Sequence, residues 1–188
     1  MPNEITIYVD GGASGNPGPG GYGAVLIYGK HRLEKSGGFR LTTNNRMELM
    51  AVIVGLEALK IPESNVVIYT DSKYVADAVQ KGWLFNWEKT AFKKKKNPDL
   101  WLRFLKVYRQ HKVRFVWIRG HSNIAENERC DQLAFEAYSS NELMEDTGYI
   151  ANIESNNILY PPLEGAGGGF QTSNFKFQTS KDTGGGKR

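Results

Sequence analysis

The sequence predicts an α/β fold built on a mixed five-stranded sheet, three antiparallel strands followed by parallel additions, with helices packed on it. Three observations lead there. Residues 5–9, Ile-Thr-Ile-Tyr-Val, alternate as a strand does, and two more extended segments follow at 22–29 and 35–41, joined through Gly29–Arg32, so that an antiparallel meander results. After Asn44 the apolar period becomes helical, and the next extended run, 66–71, is reached through that helix, which implies a parallel crossover. A last extended run, 113–118, again follows a helical stretch.

The elements follow in order. Gly11 to Gly23 reads as a glycine- and proline-rich turn region between the first two strands. Asn44 is placed to cap a helix over about 46–60, with Met47, Met50, Ala51, Val54 and Ala58 on one face and Pro62 as its stop. Ser72 is placed to cap a second helix to about Gln80, ended by Gly82. Residues 83–96, aromatic and lysine-rich, read as a short helix and a loop. Asn97-Pro98 marks the start of a helix whose apolar face is Leu100, Trp101, Phe104, Leu105 and Tyr108. A loop at 119–125 leads to a final helix over about 126–139.

The domain is expected to span 1–149. From about 150 the composition changes: Gly165–Gly169 and Gly184–Gly186 are glycine tracts, and Phe-Gln-Thr-Ser occurs at 170–173 and again at 177–180. Residues 150–188 are therefore expected to be a low-complexity, flexible tail.

Bulk properties narrow the function. No run of eighteen apolar residues exists, which excludes a membrane-spanning helix. The start Met-Pro-Asn-Glu lacks the charged-then-apolar pattern of a signal peptide, and Cys130 is the single cysteine, so a reducing cytoplasm is the expected location and a cysteine-based zinc site is disfavoured. The net charge of +4 is uneven: residues 81–114 hold eleven Lys or Arg against Glu88 and Asp99. That concentration suits a polyanionic partner, although a solvated basic face reads the same way. The glycine region 15–21 is followed by a strand rather than a helix, and no Gly-Lys-Ser/Thr appears, which argues against a nucleotide-phosphate loop.

Four acids stand at structural junctions. Asp10 closes the first strand, Asp71 closes the strand at 66–70, and Glu48 and Asp131 lie near the starts of helices. If the first and fourth strands are parallel neighbours, Asp10 and Asp71 emerge at one sheet edge, where ligands gather in open sheets. Buried carboxylates crowded together repel, and a hard divalent cation with oxygen ligands relieves that. Helix N-terminal turns also favour negative charge, so Glu48 and Asp131 have a purely structural reading as well. His121, in Arg119-Gly120-His121-Ser122, follows the fifth strand at the same edge and is suited to proton transfer.

Taken together, Asp10-Gly11-Gly12, Gly15-Asn16-Pro17-Gly18-Pro19-Gly20-Gly21-Tyr22-Gly23-Ala24, Thr42-Thr43-Asn44-Asn45-Arg46-Met47-Glu48-Leu49, Thr70-Asp71-Ser72 with Tyr74-Val75, and Gly120-His121 with Glu126-Asn127-Glu128-Arg129-Cys130-Asp131 resemble bacterial ribonuclease H type 1. The likeness covers about residues 3–149. It implies the ribonuclease H-like fold and endonucleolytic hydrolysis of the RNA strand of RNA–DNA hybrids by a two-metal-ion mechanism, leaving 5′-phosphate and 3′-hydroxyl ends. The implied metal ligands are Asp10, Glu48, Asp71 and Asp131, holding two Mg²⁺ ions with Mn²⁺ able to substitute, and the implied catalytic histidine is His121. The implied substrate contacts are Asn16, Thr43, Asn44, Asn45 and Lys73, together with a basic protrusion over about 82–98 that includes Trp83, Trp87, Lys93, Lys94, Lys95 and Lys96. Lys73 and Gly12 depart from the family's common glutamine and serine. The implied partner is the hybrid duplex, with no membrane, and the expected state is a monomer.

Overall fold

The structure, a computed structural model, describes residues 4–120 and 122–155. In chain order it contains β1 (Glu4–Ala13), β2 (Gly18–Tyr28), β3 (His31–Thr42), α1 (Asn44–Glu57), β4 (Asn65–Thr70), α2 (Lys73–Gln80), α3 (Trp83–Lys89), α4 (Pro98–Tyr108), β5 (Lys112–Trp117), α5 (Ala125–Tyr138) and α6 (Thr147–Ser155). The five strands form one sheet in the order β3-β2-β1-β4-β5. The β3–β2 and β2–β1 pairs are antiparallel, and β1–β4 and β4–β5 are parallel, as the switch from hairpins to a helical crossover predicts.

Two layers cover the sheet. On one face the inward residues of β1, Ile7 and Val9, join Ala24, Ile68 and Phe115 in a core with α1 and α4. On the other face Val25 packs with Cys130 and Leu133 of α5, with Tyr8 against them. The alternation of β1 therefore serves both layers, as a central strand's should.

The largest departure from the sequence pattern lies in the glycine region. Composition predicts a turn from Gly11 to Gly23, yet both ends of that stretch are strand, and the turn shrinks to Ser14–Pro17. Helices rest directly on this backbone. A Cβ on Gly11 would collide with the Met47 carbonyl carbon, and one on Gly23 would collide with the Cys130 carbonyl oxygen. These glycines are strand residues that let α1 and α5 approach to backbone contact, a use of glycine that composition alone does not separate from turn formation.

Other boundaries shift for similar reasons. Helix α1 begins with Asn44 as a helical residue; Thr43 is its N-cap, and neither side chain caps it. It is also buried nearly all round rather than on one face, with Leu49, Val52 and Ile53 inside as well, because α4 covers the side away from the sheet. Ser72 and Asn97 stand at the N-caps expected of them but make no side-chain cap bond. Helix α6 is an addition to the predicted elements, and the boundary anticipated at 149–150 falls within it. The glycine-rich segment 156–188 lies outside the described residues.

Candidate active site

The sheet register brings the acids together. The last β1–β4 pair is Tyr8 with Tyr69, so Asp10 and Asp71 each stand two residues beyond it, at one level of neighbouring strands. The Tyr8 and Tyr69 rings stack at 4.7 Å directly below that level. Glu48 arrives from α1, whose first turn lies against Gly11. Carboxylate oxygens of Asp10, Glu48 and Asp71 all lie within 4.8 Å of one another.

Asp131 completes the group from the other layer. Asp10 pairs across β1–β2 with Gly23, and Gly23 is the position on which α5 rests at Cys130. Asp131, next along α5, is solvent-exposed, and its charge acts on Asp10. It stands outside the tight trio.

The electrostatics describe a site short of positive charge. Burial, then the Asp71 carboxylate, raise the Asp10 carboxyl to about 7, against a hydrogen bond from the Gly11 N–H and with a further push from Asp131. Burial holds the Glu48 carboxyl well above its ordinary range, with Asp10 and Asp71 adding to it. Glu48 Oε2 is buried with no hydrogen-bond partner. A buried acceptor left unpaired is costly, and an ion or an ordered water commonly fills such a position. Three converging carboxylates, one of them with an orphaned oxygen, fit a hard divalent cation, which takes carboxylate oxygens.

The candidate substrate residues fall into two groups. At the turn between β1 and β2, exposed Asn16 accepts a hydrogen bond from the Asn44 N–H at 3.2 Å, and the Asn44 side chain accepts one from the Ala13 N–H at 2.7 Å. Asn44 thus joins the helix start to the turn instead of capping the helix. Thr43 and exposed Asn45 flank it, so this rim continues into the turn that delivers Glu48.

The basic arm comes off α3. Lys93 to Lys96 are all exposed. The loop is pinned by Phe92, 4% exposed, and by Trp87, whose ring meets Trp101 of α4 edge-on at 5.7 Å. Lys95 sits over the Trp87 ring at 5.1 Å and Lys81 over exposed Trp83 at 4.8 Å. Asn97 and Trp101 both donate to the Tyr74 hydroxyl, at 3.1 and 2.9 Å, tying the arm's base to the helix that follows Asp71. Lys73, the first residue of α2, is exposed beside that helix's start. His121 lies outside the described residues.

One supporting structure is absent from the sequence reading. Arg46, 1% exposed, lies two residues before Glu48 and binds both Asp99 and Asp146. The chain after α5 returns to β3, where the Arg40 N–H donates to the Met144 carbonyl and the Met144 N–H to that of Gly38. That pairing delivers Asp146, which also caps α6 by accepting the Tyr149 N–H at 3.2 Å. An arginine just ahead of the apolar stretch of α1 was the available signal. A cavity of about 650 Å³ lies at the far end of β1, lined by Ile5, Leu26, Ile27, Leu33 and Ile61, and includes none of the four acids.

Comparison with known proteins agrees with this geometry. The RNase H family model matches residues 2–139. The Ribonuclease H of Trichodesmium erythraeum is 58% identical over 151 residues, covering 78% of this chain and 96% of that protein. Ribonuclease HI of Synechocystis sp. is 49% identical over 154 residues, 79% of this chain and 96% of that one. Among solved structures, LC9-RNase H1 superposes with a TM-score of 0.67 at 29% identity, covering 79% of this chain and 80% of that one. LC11-RNase H1 in complex with an RNA/DNA hybrid gives 0.55 at 31% identity, covering 72% and 96%. A family match across most of the chain, together with close relatives aligned over nearly their whole length, makes this chain a member of the bacterial ribonuclease H family.

Proposed function

We propose that this chain is an endoribonuclease that hydrolyses the RNA strand of RNA–DNA hybrids at the acid cluster, leaving 5′-phosphate and 3′-hydroxyl ends. The observation that carries the proposal is the convergence of Asp10, Glu48 and Asp71, with Glu48 Oε2 left unpaired, in a chain of this family. The hybrid as substrate is drawn from LC11-RNase H1, whose structure holds one.

The residues divide the work as follows. Asp10, Glu48 and Asp71, with Asp131 approaching from α5, hold the divalent cations; we take these to be two Mg²⁺ ions, with Mn²⁺ able to substitute. When bound, the cations supply Lewis-acid activation of water and charge compensation at the departing 3′-oxygen. Asp10, central among the acids, must lose the proton that its raised pKa favours, so metal entry displaces protons near neutral pH. His121 assists proton transfer or product release.

Recognition needs a means of telling RNA from DNA, and the 2′-hydroxyl provides it. Asn16, Thr43, Asn44 and Asn45 form the rim suited to reading it. Lys73, Trp83, Trp87 and Lys93 to Lys96 supply a basic and aromatic surface for backbone phosphates, with little sequence preference. The same proposal takes residues 1–149 as the working domain, 150–188 as an accessory tail, the protein as a monomer, and the cytoplasm as its location.

The test is incubation with RNA–DNA hybrid, RNA duplex and DNA duplex, with and without Mg²⁺ or Mn²⁺. Cleavage confined to the RNA of the hybrid, and only with metal, supports the proposal; hybrid binding without cleavage refutes it.

A further inference from the structure

Trp117 closes β5, in register with Thr70 at the end of β4, and is 43% exposed. A large aromatic left half in solvent at a strand end forgoes much of the burial open to it. Its edge and its face are both engaged, by Asp71 and by Lys73. The indole Nε1–H donates to the main-chain oxygen of Asp71 at 2.9 Å. The face of the same ring lies under the Lys73 ammonium, 5.0 Å from the ring centroid.

Each contact has a consequence. Asp71 is the point at which the chain leaves the sheet, one residue past the end of β4. A main-chain hydrogen bond from the Ile118 N–H to the Thr70 carbonyl, at 2.9 Å, falls one residue short of it. The indole N–H adds a restraint at the residue after Thr70. Gly120 of the same segment passes close to the carboxylate: a Cβ there would lie 2.7 Å from Asp71 Oδ2, so glycine leaves it room. The exit of β5 therefore holds Asp71 at its carbonyl and runs close beside its carboxylate.

Lys73 is the first residue of α2, where the helix dipole disfavours a cation. The ring face offsets that through its negative quadrupole. It also keeps a long side chain on the ring, two residues along from Asp71, instead of free to sweep through solvent. A cation held on that ring, on the chain segment that leaves Asp71, is suited to meeting a backbone phosphate.

We propose that Trp117 is a positioning residue with two outputs: its edge fixes Asp71 for divalent-cation binding, and its face presents Lys73 to a nucleic-acid backbone phosphate next to the scissile one. The proposal rests on the hybrid-cleaving function proposed above.

The two outputs separate by substitution. Trp117→Phe keeps a ring under Lys73 and removes the N–H; Lys73→Gln keeps the N–H and removes the cation; Trp117→Leu removes both supports. For each, Mg²⁺ affinity of the free protein is measured by calorimetry, and KM for the hybrid is measured across a salt series at saturating Mg²⁺. Thermal melts establish that each variant is folded. Trp117→Phe should weaken Mg²⁺ binding about tenfold, the scale of outer-shell substitutions at metal sites, with the salt dependence of KM retained. Lys73→Gln should bind Mg²⁺ as the wild type does, since the side chain lost is not among the converging carboxylates. Its slope of log KM against log salt should fall by about one, the loss of one phosphate contact. Trp117→Leu should show both changes.

A folded Trp117→Phe variant with wild-type Mg²⁺ affinity overturns the first output, and an unchanged salt slope in Lys73→Gln overturns the second. Failure of the wild type to cut hybrid would instead sink the proposed function, while the Mg²⁺ calorimetry would still decide the role of the indole N–H.

Discussion

The Arg46 guanidinium holds both carboxylate oxygens of Asp146, Nε to Oδ2 and Nη2 to Oδ1, each at 2.7 Å, across 100 residues of chain. The two side chains are 1% and 3% exposed. Arg46 also forks onto Asp99 at 2.9 and 2.7 Å, and the Thr42 hydroxyl donates to Asp146 at 2.7 Å. The end of β3, the start of α1, the start of α4 and the cap of α6 thus meet at one buried ion cluster, two residues from Glu48.

Asp146→Ala should therefore destabilise the protein by about 3 kcal/mol, because it leaves part of a buried guanidinium unpaired. In a chain of this size that lowers Tm by about 6–12 °C. Thermal melts of the variant at neutral pH check the value, and a change below about 1 °C would show that the cluster is not structural.

Asp10→Asn should abolish cleavage and raise stability. The wild-type carboxyl is held near 7 by burial and by the Asp71 charge, so above that pH the folded protein carries an unfavourable anion. Removing it should gain about 2 kcal/mol at pH 8 in metal-free buffer, less than the full pKa displacement implies because the site relaxes. Paired melts and cleavage assays test both halves.

The metal-free protein should lose stability between about pH 4 and pH 7. The folded pKa of Asp10 lies above its unfolded value of 3.8, so its contribution is complete below pH 4 and disappears as pH rises through about 7. Glu48 acts in the same direction. Mg²⁺ should reverse the trend by compensating the anions, and calorimetric titration near pH 6 should detect proton release through buffer-dependent heats. Melts from pH 5 to 8, with and without Mg²⁺, provide the check; a flat metal-free profile would contradict it.

Gly11→Ala should damage both fold and activity. Its Cβ would run into the Met47 carbonyl carbon and the Glu48 nitrogen, main-chain atoms that cannot swing aside. Displacing the first turn of α1 should cost about 2–3 kcal/mol and carry Glu48 away from Asp10 and Asp71. Chemical denaturation and Mg²⁺ titration of the variant read the two effects separately.

If, as proposed, the exposed Lys93 to Lys96 meet phosphates rather than the reacting atoms, replacing them with alanine should raise KM and flatten its salt dependence while leaving kcat within about twofold. A cleavage series from 50 to 200 mM salt tests this, and an unchanged slope would exclude the arm from hybrid binding.

Much of this molecule is legible in its sequence. Strand alternation and the helical crossover lead to the mixed sheet, and the parallel β1–β4 pair places Asp10 beside Asp71. Glu48 is legible as an acid in a helix start. What is not legible depends on contact rather than pattern. Gly11 and Gly23 read as turn residues, because nothing in a local window reveals a helix lying across a strand. Asn44 and Asn97 read as caps, but their side chains serve Ala13 and Tyr74 instead. The burial of Arg46 requires two acids more than fifty residues away, and Trp117 gains its meaning only from the carbonyl and the ammonium that flank it.

Metal-dependent cleavage at the acid cluster is tested most directly with a labelled RNA–DNA hybrid, comparing wild type with Asp10→Asn in Mg²⁺ and in chelator. The expected result is RNA-strand cleavage with 5′-phosphate ends by the wild type in Mg²⁺ alone, and no cleavage but retained hybrid binding by Asp10→Asn. Cleavage by Asp10→Asn at the wild-type rate, or by the wild type in chelator, would contradict it.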